Sequence, residues 1–62
     1  MLMKRLFKKG ERVRNARDGR VMEVLNYIKD KSSYLVECAW FDLDKKEIRK
    51  RRFKQNNLLK VS

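Results

Sequence analysis

No histidine and no proline occur in these 62 residues, and cysteine appears once, at Cys38. Without histidine there is no side chain whose ordinary pKa suits proton transfer near neutral pH, and no Ser–base or Cys–base pair can be assembled. The chain is therefore expected not to be an enzyme. A lone cysteine excludes an internal disulfide, and without histidines it also excludes a zinc site resting on paired cysteines. The lack of proline and the presence of only two glycines argue against a linker or low-complexity tail. No Gly-rich phosphate loop or dinucleotide fingerprint occurs, so neither a cofactor nor a small-molecule substrate is indicated. No apolar run approaches the roughly 18 residues of a membrane-spanning helix. The opening "MLMKRLFKK" lacks the uninterrupted apolar stretch of a signal peptide. A cytoplasmic protein is the expectation.

What is abundant is positive charge. Eighteen Lys and Arg against eight Asp and Glu give a net charge of +10, more than the ~2–8 that keeps a small domain soluble. A polyanion is the partner such a balance favours, nucleic acid before an anionic membrane or an acidic protein. The 42% hydrophobic content is well above that of a charge-rich disordered segment. One domain is expected, over 7–62, with residues 1–6 as a flexible lead-in. A domain of this size buries only about 60% of the surface its unfolded chain exposes.

Short strand signals recur with turn residues between them. "ERVR" (11–14) alternates around Val13, and "NARDG" (15–19) supplies residues that tolerate tight turns. "RVMEVLNYI" (20–28) is long, with apolar residues at both parities, as in a strand that bends to serve two sheets. Met22, Val24 and Ile28 are expected to line the core, with Val21, Leu25 and Tyr27 on the other face or crossing over at the bend. "KDKSS" (29–33) reads as a mobile hairpin loop, and "YLVECAWF" (34–41) as the strongest strand. The period of two places Val36, Cys38 and Trp40 on one face, pointing inward, with Glu37, Ala39 and Phe41 opposite. Cys38 is then a small buried hydrophobe. "DLDKK" (42–46) turns the chain; Asp42 and Asp44 are read as turn-formers, not cation ligands. "EIRKRRF" (47–53), a single helical turn at "KQNN" (54–57) and "LLKV" (58–61) complete the pattern. The fold expected is all-β: a small five-stranded SH3-like barrel with one short helical turn before the last strand.

The stretch "KKEIRKRRFK" (45–54) carries seven cations in ten residues, with Ile48 and Phe53 five apart. Strict alternation across it places either Lys50 and Arg52 or Arg49 and Arg51 inside a barrel, which burial of unpaired charge forbids. A bulge between Ile48 and Phe53, or a strand starting only after Ile48, is expected to resolve the conflict. Phe53 then anchors the strand end near Leu58 and Val61.

From Phe7 onward the order of landmarks resembles the YodC-like family of small bacterial proteins. The matching positions are Phe7, Gly10-Glu11, Val13, Gly19, Met22-Glu23-Val24, Cys38-Ala39-Trp40-Phe41, Phe53 and Leu58 or Leu59. The most specific element is "CAWFD", with "GRVMEV" upstream. Asp18-Gly19-Arg20 stands where the family usually has Gly-Gly-Pro, the loop 29–33 is longer than its commonest form, and the basic run exceeds the family pattern. The resemblance implies a small SH3-like barrel and implies no particular activity.

Nucleic-acid binding through phosphate contacts, with little reading of sequence, is the leading expectation. The residues expected to carry it are Arg12, Arg14, Arg17, Arg20, Lys45, Lys46, Arg49, Lys50, Arg51, Arg52 and Lys54. Tyr27, Tyr34 and Phe41 are candidates for stacking on unpaired bases, unless core packing claims them. The competing class is a protein-interaction module or accessory subunit docking on an acidic protein or nucleoprotein complex. A weaker third reading is membrane adsorption through Leu2, Met3, Leu6 and Phe7 with Lys4 and Arg5.

Overall fold

A computed structural model describes residues 4–31 and 33–61. Of the apolar residues proposed to adsorb on membranes, Leu2 and Met3 lie outside that range, as do the first three residues of the expected lead-in. No helix among the described residues is long and apolar enough to cross a membrane. The chain is all-β, with β1 (Arg12–Asn15), β2 (Val21–Asp30), β3 (Ser33–Asp42), β4 (Glu47–Lys54), a 3-10 turn (Gln55–Asn57) and β5 (Leu58–Lys60). The strands form one antiparallel sheet in the order β4-β3-β2-β1-β5. The sheet is open: no ladder joins β4 to β5 among the described residues.

The turns follow from the residues in them. Gly10 and Gly19 take φ values of +88° and +78°, which cost a glycine nothing. Between β1 and β2 the Asn15 and Asp18 side-chain oxygens accept hydrogen bonds from the backbone N–H groups of Arg17 and Arg20, the local bonding that makes these residues turn-formers. The β2–β3 connection is shorter than expected. Lys29 pairs with Tyr34 and Asp30 with Ser33, leaving two residues to connect them, and Lys31 adopts φ +54°. Two-residue hairpins favour such left-handed positions because they match the twist of the strands. Most of 29–33 is ladder, not mobile loop.

A sheet without a second layer buries side chains only by wrapping around its own apolar face. Val13, Val24, Val36 and Cys38 are fully buried, and Phe7, Met22 and Leu58 join them in a single cluster. Tyr27, Trp40 and Phe53 pack against its rim. The inward set expected on β3 is thus present, with Trp40 half-buried at its outer end. The bend in β2 is a bulge: Val24 opposes Cys38 and Asn26 opposes Glu37, so Leu25 is the extra residue. One inserted residue reverses the parity beyond it. Tyr27, opposite Val36, therefore turns inward, and Ile28, opposite Leu35, does not line the core as expected.

The register of β4 also departs from expectation. It runs from Asp42↔Glu47 to Leu35↔Lys54 without a bulge, and the strand includes Ile48. Alternation puts Arg49 and Arg51 on the same face as Trp40 and Cys38. They stay exposed because β4 lies at the open edge, where that face meets solvent. The supposed conflict required a covered barrel interior at this strand. The interior stops at Phe53.

The segment before β1 covers one end of the core. Phe7 is buried, and its backbone N–H, with that of Leu6, donates to the Tyr27 hydroxyl at 3.1 and 3.2 Å. Tyr27 donates in turn to Gln55 Oε1, which also accepts from the Leu6 N–H at 3.0 Å. Gln55 Nε2 donates to the Lys4 carbonyl at 2.9 Å. Among the described residues Gln55 is the buried polar side chain of this small core, and its bonds fasten the lead-in and Tyr27 of β2 to the 3-10 turn. Gln55→Ala strands those partners, so urea unfolding should show a loss of about 1–3 kcal/mol.

Burial, and secondarily the charge of Glu37, pushes the Cys38 thiol from an ordinary 9.0 up to about 11. The folded state therefore holds its proton more tightly than the unfolded chain does. Its contribution to stability is complete below pH 9.0 and is lost as pH rises toward about 11. Chemical denaturation across that window should show the decline, and Cys38→Ala should flatten it. Thiol reagents should label the native protein near neutral pH only as fast as it opens.

Candidate nucleic-acid interface

Alternation divides the arginines between two faces. On β4, Arg49 and Arg51 stand on the core side, while Lys50, Arg52 and Lys54 point outward with Ile48. On β1, Arg12 and Arg14 oppose Glu23 and Val21 on the outer face. Two strands lie between β1 and β4, so the outward cations of the two strands sit about 14 Å apart at the usual strand spacing. They do not merge into one patch on the outer face.

They are joined at the open edge instead. Three adjoining clefts run between the β1–β2 turn, the end of β3 and β4. The largest, about 750 Å³, is walled by Arg17 and Asp18 of the turn and by Arg51, Arg52, Phe53 and Lys54 of β4. A second, about 470 Å³, lies among Arg20, Trp40, Asp42, Arg49, Lys50 and Arg51. A third, about 320 Å³, is bordered by Arg12, Arg20, Glu23, Trp40 and Phe41. Arg51 belongs to the first and second, and Arg20 and Trp40 to the second and third. Linked by these shared residues, the clefts make up a cationic track, with eight cations and the three carboxylates Asp18, Glu23 and Asp42 on its walls. Of the residues expected to bind, Arg14, Lys45 and Lys46 line none of it.

Few of these charges are neutralised. Among the described residues, ion pairs engage Arg49 with Asp42 at 3.4 Å, Arg52 with Glu37 at 3.8 Å and Lys60 with Glu11 at 3.9 Å. All three involve exposed cations and are weak constraints. The carboxylate of Asp42 accepts bonds from the Asp44 and Lys45 backbone N–H groups. The Lys45 bond is the largest cause holding its pKa below the usual range, helped by Asp44 and Arg49 against some desolvation. Asp42 therefore stays ionised, shapes the β3–β4 turn and orients Arg49. This is the turn-forming role read from the sequence.

The aromatics separate into two groups. Arg5 lies against both Tyr27 and Tyr34, 5.2 and 5.3 Å from the ring centroids, and the rings meet edge to face at 6.3 Å. With its hydroxyl engaged by the lead-in, Tyr27 is a structural residue, and the pair lines none of the three clefts. Phe41 does line the track and is 53% exposed. Trp40, assigned to the core from its parity, lines it as well, with the Arg20 guanidinium 4.8 Å from its ring centroid. The available signal was its place at the far end of the inward set, beyond Cys38, where the interior gives out.

No family model, no curated protein and no solved structure matches the chain. The track itself is open to measurement, because Trp40 is the single tryptophan. At low ionic strength iodide should quench its fluorescence more efficiently than caesium does. Arg20→Gln with Arg49→Gln should narrow that gap, as should added salt. Equal quenching by the two ions would show that the cleft holds no positive potential.

Proposed function

We propose that the chain is a small non-catalytic module that binds DNA or RNA through its phosphates, with little reading of sequence. The observation carrying this reading is the run of adjoining cationic clefts, whose arginines come from β1, the β1–β2 turn and β4 and, among the described residues, leave most of their charge unpaired. Arginine's planar fork suits phosphate oxygens, and a groove lined with it follows a backbone whatever the bases. Counterion release supplies the affinity.

The same reading takes the sheet as an SH3-like barrel of the YodC-like kind. Supporting it are the strand order with β5 returning beside β1, the 3-10 turn before β5, the bulge that bends β2 and the wrapping of the sheet around one core. The landmarks Gly10-Glu11, Met22-Glu23-Val24 and Cys38-Ala39-Trp40-Phe41 support the kinship.

Binding to mixed-sequence nucleic acid should weaken steeply with salt, by roughly 0.9 log units per log of salt for each duplex phosphate neutralised and roughly 0.7 for a single strand. Replacing Arg49, Arg51 and Arg52 together by Gln should reduce that slope by about 2–3 while the circular dichroism spectrum is unchanged. Binding that is absent at low salt, or indifferent to the triple change, refutes the reading.

A further inference from the structure

At one end the sheet departs from its own ladder. Glu23↔Ala39 is the last pair between β2 and β3, although β2 stays paired to β1 as far as Val21 and β3 to β4 as far as Asp42. The two strands part there, and the third cleft is the opening between them. Trp40 and Phe41 are consecutive on β3 and so face opposite sides of the sheet. Aromatic surface therefore borders the opening from both sides, with Arg20 over Trp40 and Phe41 uncapped at 53% exposure. Arg12 and Arg20 border it too, and Lys50, the partner of Ala39 on β4, sits diagonally from Phe41, whose own partner is Ile48.

A phenyl ring among cations suits a ligand that brings a flat apolar face together with negative charge. Nucleobases of a duplex have both faces taken by their neighbours, whereas an unpaired base offers its own to an aromatic side chain. An acidic protein would need a broad patch of roughly 800 Å² to dock stably, and this site is narrow and continues into a cationic track. Resting on the nucleic-acid reading above, we infer that the β2–β3 opening is a base-stacking site, with Phe41 as its platform, and that the module's ligand is a single strand. Phosphates on either side of the stacked base meet Arg12, Arg20 and Lys50, and the strand continues along the clefts toward Arg51.

Fluorescence anisotropy with a short labelled oligonucleotide of mixed sequence, and with its blunt duplex, tests this. The unchanged protein should prefer the single strand by about tenfold or more, and Phe41→Ala should weaken that binding roughly 5- to 100-fold while leaving the duplex unaffected. Phe41→Leu keeps apolar bulk without a π face and should not restore it. Both replacements lie on the outer face and should leave the thermal melt unchanged. A leucine variant that binds like the original, an alanine variant that weakens both ligands equally, or no preference for the single strand overturns the stacking site. Each of these leaves the phosphate reading standing if the salt slope persists. Displacement by polyglutamate as readily as by unlabelled oligonucleotide also overturns it, because the surface then answers to charge alone. Failure to bind either nucleic acid at low salt removes both readings.

Discussion

A single sheet has only itself to pack against, and that constraint organises this molecule. Apolar side chains on one face of an uncovered sheet would remain half wet. Here the bulge at Leu25 bends β2 and lets the face close over Val13, Val24, Val36 and Cys38 until none of them meets solvent. The side chains involved are small, so the wrap is tight and the interior is short. Phe7 and Leu58 finish it at the end fastened by Gln55. No disulfide or metal ligand set supplements it among the described residues, so the stability of the domain rests on this short interior.

Where the interior ends, the cationic track begins. The inward face of β3 passes from Cys38 at full burial to Trp40 at half burial, and the matching face of β4 passes from Phe53 to Arg51 and Arg49. The same alternation that fills the core thus delivers arginines to its lip. Their aliphatic stems and forked heads suit such a boundary, where one end of a side chain is shielded and the other is hydrated. The track is a continuation of the core's geometry into water.

Much of the fold was legible in the sequence because alternation and turn chemistry act locally. Val13 between arginines, the Asn15–Gly19 turn, the inward triplet of β3 and the single helical turn after Lys54 all reflect choices made within a few residues. The illegible parts depend on partners distant in the chain. A bulge in "RVMEVLNYI" cannot be assigned to Leu25 until Cys38 and Glu37 are seen opposite its neighbours. The absence of a bulge in β4 likewise follows from its place at the sheet's edge, which no local pattern encodes. The site divides in the same way. Positive charge and the outward parity of Phe41 were readable, but its exposure, the gathering of Arg17, Arg20 and Arg51 along one track, and the emergence of Trp40 into it required the structure.

The uncovered edge of β4 has a further consequence for how copies of this chain treat one another. Unpaired backbone groups along an eight-residue strand invite a neighbour to extend the sheet. In an antiparallel alignment of two such edges, however, lysines and arginines would confront their own kind, and like charges directly opposite are destabilising. That deterrent reaches only about 8 Å at physiological ionic strength, so it guards the edge at close range and fades when counterions or a bound polyanion blanket the strand. Solubility in this molecule is therefore a property of its electrolyte as much as of its fold.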